Sequence, residues 1–172
     1  MGVQEALLAR RTVRRFAPTP VSGKILTSIL NATRRAPSSR NQQPWHFVVV
    51  RNRETLEAID GIAGTGRFIA DAPLAIAIAM DGADSPELDA GRALQQMEVM
   101  AWSKGLGTCF VTLAGDEPAW IAALLGIPKG MDLITVMPFG YRSADFTGRG
   151  VPRKPLSAIA HSETFGNAYG AN

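Results

Sequence analysis

Apolar positions along the 172-residue chain switch between a helical repeat and short strand-like runs, and the switches mark its elements. Val3, Ala6 and Leu7 share one side of a short helix, Val3–Ala9. Arg10 to Phe16 alternates instead, as an extended segment does, with Thr12 and Arg14 on one side and Val13 and Arg15 on the other. Pro18 and Pro20 prevent helix there. Ser22 is an N-cap residue for a helix whose face is Ile25, Leu26, Ile29, Leu30 and Thr33, running to Arg35 and stopped by Pro37. Trp45 to Arg51 is aromatic and β-branched and reads as a buried strand. A helix over Glu54–Ile59 follows, then a loose stretch containing Gly61, Gly64 and Gly66. Leu74 to Met80 reads as a second, fully buried strand. Ala90, Ala93, Leu94, Met97 and Ala101 recur at helical spacing, which predicts the longest helix over Glu87–Lys104, stopped by Gly105 and Gly107. Thr108–Leu113 is expected as the third strand. A helix over Glu117–Leu125 is expected to start from the N-cap Asp116, with Pro118 in its first turn. Leu133–Phe139 is the fourth strand, and Pro138 favours an edge or a strand end there. Pro155–Ala160 suits one helical turn or two. His161–Asn172 has no core of its own and is expected frayed or packed on a partner. The order predicts one domain, a mixed α/β layer fold with about four core strands.

Composition agrees with a soluble globular domain, at 46% apolar and 19% charged residues. The first nine residues hold no long apolar run, and Leu74–Met80 is too short to cross a bilayer, so a cytoplasmic location is expected. A single cysteine, Cys109, excludes an intrachain disulfide framework and a cysteine cluster for a metal. The only histidines are His46 and His161, in no zinc-binding pattern, so no metal site is expected.

Charge changes the picture more. The net charge is only +3, but Arg10, Arg11, Arg14, Arg15, Lys24, Arg34, Arg35, Arg40, Arg51 and Arg53 face a single acid, Glu5, in the first 53 residues. Such asymmetry suits an anionic partner, either a phosphorylated cofactor or a nucleic acid, against a merely solvated basic face. If Arg10 to Arg14 is extended, Arg10, Thr12 and Arg14 project together. Two guanidiniums flanking a hydroxyl match a phosphate, although a basic surface strand reads the same way. Pro37 to Gln43 is a polar loop able to read a heterocycle or a sugar-like chain, or an ordinary turn. The strand end Thr112-Leu113-Ala114-Gly115 could present backbone N–H groups to a ligand. Arg149, Arg153 and Lys154 could join the N-terminal arginines, or form a solvated tail. There is no triad, no paired carboxylate and no dinucleotide fingerprint, so no side chain stands out as acid, base or nucleophile. That combination suits an enzyme whose cofactor carries the chemistry.

Taken in series, Arg10-Arg11-Thr12-Val13-Arg14-Arg15-Phe16, the string from Ala36 to Val50, Gly105-Leu106-Gly107-Thr108-Cys109-Phe110-Val111 and Arg153-Lys154-Pro155-Leu156 resemble the flavin-dependent nitroreductase family, from Arg10 to about Phe165. The resemblance implies an α+β fold, helices around a mostly antiparallel sheet, and an intertwined homodimer with FMN at the subunit interface. It implies that Arg10 and Thr12 hold the FMN phosphate, that Arg11 adds a backbone contact and that Arg14 reaches the ribityl chain or the pyrimidine edge. Pro37, Ser38, Ser39 and Asn41 would serve the FMN of the other subunit. The backbone of Thr112 and Leu113 would lie near flavin N5. Arg153 would sit on the phosphate, with Arg149 or Lys154 as alternatives, and Arg67 is a candidate for the pyrimidine. The implied reaction is ping-pong hydride transfer from NADH or NADPH to a nitroaromatic, quinone or related small oxidised substrate. The alternatives are another reaction on the same fold (dehalogenation, dehydrogenation or flavin fragmentation) or non-catalytic flavin binding. Neither nucleic acid nor membrane is an expected partner. The stretch from Met80 to Gly91 is short against larger members, whose insertions there cover the substrate pocket.

Overall fold

In a computed structural model, which describes residues 2–170, the helices are α1 (Val3–Ala9), α2 (Gly23–Thr33), α3 (Arg53–Ile62), α4 (Pro86–Ser103) and α5 (Glu117–Leu124). The strands β1 (Trp45–Val50), β2 (Leu74–Asp81), β3 (Leu106–Thr108) and β4 (Met131–Tyr141) form one antiparallel sheet in the order β1-β2-β4-β3. Short 3₁₀ turns lie at Ser39–Asn41 and Leu156–Ala158. This is the expected α+β arrangement.

The alternation in β2 explains the layering. Leu74, Ile76, Ile78 and Met80 pack in one core with Ile29 of α2 and with Ala90, Ala93, Met97 and Ala101 of α4. Ala75 and Ala77, on the other face, join a second core with Leu56 and Ile59 of α3 and Ile121 of α5. Both faces of the central strand are therefore covered. No helix of the described residues is long and apolar enough to cross a membrane.

Several expectations are corrected. β1 is an edge strand, buried at Trp45 and Val50 but with His46 exposed and Phe47, Val48 and Val49 only partly buried, so the expected buried strand is buried only at its ends. The third strand ends at Thr108, and 109–113 leaves the sheet. The Thr135 hydroxyl of β4 donates to the Val111 carbonyl at 2.8 Å, which satisfies by a side chain what a ladder would have satisfied. Asp116 is not a side-chain N-cap. Pro138 lies in an interior strand, but pairing with β3 reaches only Thr108↔Phe139, so the proline stands just past the last residue needed for that ladder. Ser22 does cap α2, accepting from the Ile25 amide at 3.3 Å. At the C-terminus, Ser162 N–H donates to the Asn167 carbonyl and His161 stacks on Phe165, so the tail forms a small hairpin with Phe165 93% exposed.

Candidate functional site

The segment after α1 runs beside β3. Thr12 and Thr108 form a parallel bridge, and the Val13 amide donates to the Thr108 carbonyl at 3.0 Å. Val13 is buried against Gly107, where an ideal Cβ would lie 2.5 Å from the valine side chain, so only glycine admits so close a crossing. Fixing Val13 inward turns its neighbours outward. Arg10, Arg11, Thr12 and Arg14 line one cavity of about 290 Å³ together with Arg149, Gly150, Val151 and Arg153.

The donors there are poorly matched to acceptors of the chain itself. Arg11 Nη1 donates to the carbonyls of Leu8 and Arg10, both at 2.9 Å, while its Nε is buried without a partner. Gly150 presses on that guanidinium, its ideal Cβ position only 2.4 Å from Nε. The Thr108 hydroxyl, next to Thr12, is also buried and unpartnered. Among the described residues Arg11, Arg14, Arg149 and Arg153 form no ion pair, and Arg10 meets one acid, Glu98, at 3.7 Å. Burial holds the Glu98 carboxyl above its ordinary value despite the lowering effect of Arg10. Burial likewise raises the Cys109 thiol, against the charge of Arg14, so this cysteine is a small buried side chain and not a ready thiolate.

A second cluster lies toward the start of α4. Pro37 lines a hollow with Glu87, Leu88, Arg92 and Gln95. Gln95 also lines the hollow shared by Arg10, Arg11 and Arg153. Ser39 bonds to Asp89 and Arg10 pairs with Glu98, and between those two residues α4 rises about 13 Å. Within one chain the loop and the arginines thus mark two separate stations along α4. The loop carries Arg40, Asn41 and Gln43 at positive φ, of 48°, 59° and 51°. Outside glycine such backbone costs on the order of 1 kcal/mol per residue, and asparagine bears it best.

Thr112 and Leu113 belong to a third piece. The Thr65 hydroxyl donates to the Thr112 carbonyl at 2.7 Å, and Leu113 packs on the second core. The Glu117 carboxylate accepts from the amides of Ala114 at 2.9 Å and Gly64 at 3.0 Å. Those two bonds hold its carboxyl below the ordinary range. This piece approaches the arginines through Phe68, whose ring lies 5.7 Å from Arg14 Cζ, and through Gly66, packed against Val111. Arg67 is exposed, and Lys154 is exposed and does not line the arginine cavity.

Sequence reasoning missed Gly150, Thr108, Glu98, Glu117 and Asp89. Only Gly150 carried a local signal, a glycine set among Arg149 and Arg153; the others depend on contacts between distant segments.

Residues 7–65 and 62–141 match the model of the Nitroreductase family. The chain belongs to the nitroreductase family. Among its relatives, this nitroreductase-family chain is 34% identical, over 82% of its length and 78% of theirs, to a protein of Methanothermobacter thermautotrophicus named as an NADH dehydrogenase/NAD(P)H nitroreductase. It is 28% identical to the FMN reductase [NAD(P)H] of Bacillus subtilis, over 96% of this chain and 75% of that one. Among solved structures, an FMN-dependent nitroreductase from Clostridium difficile superposes with a TM-score of 0.86 at 26% identity, covering 94% of this chain and 99% of the other.

Proposed function

We propose that this nitroreductase-family chain is an FMN-dependent oxidoreductase that takes electrons from NADH or NADPH and passes them to nitroaromatic, quinone or related small oxidised substrates. The observation that carries the reading is the cavity of five arginines around Thr12 with an unpartnered Arg11 Nε at its wall. Its donors fit a phosphate: forked cations, a hydroxyl and too few acids of the chain to neutralise them. The names of relatives and of the similar solved structure supply the flavin and the nicotinamide.

When bound, FMN would supply the redox chemistry of hydride transfer. The chain's own residues bind and orient it. Arg10, Arg11, Thr12, Arg149 and Arg153 hold the phosphate. Arg14, braced over Phe68, would supply a fixed cation toward the ring system, an arrangement that favours negative charge there. Thr112 and Leu113 lie on a segment stapled by Glu117 and Thr65, whose rigid backbone would form one edge of the ring's site. Pro37, Ser38, Ser39 and Asn41 serve the FMN of a second copy in a homodimer. Two features support that assignment: the loop's separation from the arginines along α4, and the solvent-facing side chain of Asn41.

The test is anaerobic mixing of the purified protein with NADH and with NADPH while the flavin absorbance is followed. Bleaching by either, and reoxidation by a nitroaromatic or a quinone, is expected. A protein that neither carries nor binds FMN overturns the reading. Dilution below the dimer dissociation range is expected to release FMN, and a monomer that keeps its flavin would remove the second-copy assignment.

A further inference from the structure

We propose that Asp89 is the positioning residue that sets the Ser38–Gln43 loop in its ligand-ready shape, holding half of the cofactor site from the first turns of α4. The inference rests on the FMN reading above. Among the described residues Asp89 is the one charged side chain that is fully buried, at 0% exposure. A buried carboxylate survives only where its oxygens are satisfied. Here both oxygens accept from one amide, Ser39 N–H, at 3.2 and 3.1 Å, and Oδ1 also accepts from Arg92 Nη1 at 3.0 Å. Its neighbours on α4, Ala90, Ala93 and Leu94, form an ordinary apolar face, so packing alone gives no reason for a carboxylate at this position.

The loop supplies the reason. Immediately after Ser39 come the left-handed residues Arg40, Asn41 and Gln43. Such a backbone persists only where its surroundings over-determine it. Its bonds from Asn41 N–H to the Ser38 carbonyl and from Gln43 N–H to Ser38 Oγ, at 3.1 and 2.9 Å, lie within the loop and move with it. The bond from Asp81 N–H to the Pro44 carbonyl, at 2.8 Å, fixes only its exit. The Arg40–Asp84 pair, at 3.4 Å, is exposed and holds weakly. Asp89 therefore fixes the loop's entry. It does so through backbone alone, and the Ser39 hydroxyl and the Asn41 side-chain amide, which bond to none of the described residues, stay available to a ligand.

The experiment uses the full chain with Asp89→Asn, Asp89→Ala and Ser39→Pro, the last removing the same N–H from the loop side at a first-turn position that admits proline. Two quantities are read: hydrogen exchange of the 38–43 amides in FMN-free protein, and FMN affinity by flavin fluorescence. Asp89→Ala and Ser39→Pro are expected to speed exchange in the loop at least tenfold and leave β2 and β4 amides unchanged, and Asp89→Ala, which keeps the Ser39 hydroxyl, is expected to weaken FMN binding roughly tenfold or more. Asp89→Asn, which keeps an oxygen for Ser39, is expected to fall between them and the parent. Should Asp89→Ala fail to fold, Ser39→Pro gives the exchange reading and Asp89→Asn gives intermediate changes in both exchange and FMN affinity. Loop exchange at the parent rate, or FMN affinity within twofold of the parent despite a loosened loop, overturns the proposal. So does faster exchange spread evenly over loop and sheet. If the parent chain binds no FMN, the functional reading fails, while loop exchange, which needs no flavin, still decides whether Asp89 fixes the loop.

Discussion

Gly150→Ala adds one methyl group, and the structure says where it lands. The ideal Cβ lies 2.4 Å from Arg11 Nε, 2.9 Å from Cζ and 3.1 Å from Nη2. Gly150 lacks the positive φ that would burden alanine by itself, so the perturbation is the contact alone. Comfortable separations are near 3.5 Å, and the guanidinium must retreat by about 1 Å. Retreat withdraws Arg11 from the bonds that aim it, to the Leu8 and Arg10 carbonyls. Water replaces those partners on this open side of the chain, so folding stability should change by about 0.5 kcal/mol or less. A misplaced cation at the proposed phosphate site is another matter. One charge-assisted hydrogen bond is worth about 1.5–3 kcal/mol, which is roughly 10- to 100-fold in affinity. Titrating FMN-free protein with FMN, followed by flavin fluorescence, is expected to show that loss with the thermal midpoint nearly unmoved. In an Arg11→Ala background the added methyl should change affinity by less than about twofold, because its target is gone. Unchanged affinity in the parent background, or an equal loss in both, would refute the argument.

Arg14→Ala should weaken FMN binding and slow flavin reduction by nicotinamide, measured by stopped flow; an unchanged rate and occupancy would remove Arg14 from the ring. Riboflavin, which lacks the phosphate, should bind at least 100-fold more weakly than FMN, and added salt should narrow the gap, both read by fluorescence titration. Glu117 has a depressed carboxyl, so its contribution is present above the unfolded value of 4.5 and is lost as pH falls through the lower folded value. Glu117→Ala should therefore lower the melting temperature at neutral pH and flatten its decline below pH 4.5. Glu98 is shifted the other way, and its contribution is full below 4.5 and is lost as pH rises through the raised folded value. Glu98→Gln should remove that decline, seen in melting temperature against pH.

Much of the fold was legible because periodicity reports burial directly. Leu74–Met80, with its alternating large and small residues, specified a strand covered on both faces, and the helical spacing of Ala90, Ala93, Met97 and Ala101 specified the helix that covers one of them. β1 misled because Trp45 to Val50 has the composition of an interior strand, while edge position depends on which strand lies beside it. The segment 109–113 misled for a related reason. Its residues suit a strand, but Val111 finds its acceptor's partner in the Thr135 hydroxyl, a distant side chain. For the candidate site, the shared outward side of Arg10, Thr12 and Arg14 was legible from alternation, since inward Val13 settles the direction of its neighbours, but what that side binds was not. The supports were not. Asp89 is fifty positions from the amide it holds, and Glu117 reaches back to Gly64; local pattern carries no trace of either.

The crossing of Val13 over Gly107 also bears on biosynthesis. The first arginines leave the ribosome early, but the strand that orients them is made only after more than half of the chain, and Gly140, packed against Phe16, and Gly150, packed against Arg11, come later still. During translation, domains are assembled as their long-range partners emerge. The arginine cavity thus takes shape only after its N-terminal residues have long been made. A nascent chain that has not yet reached about Arg153 holds the arginines without the frame that aims them, and FMN capture is expected only after that residue has emerged.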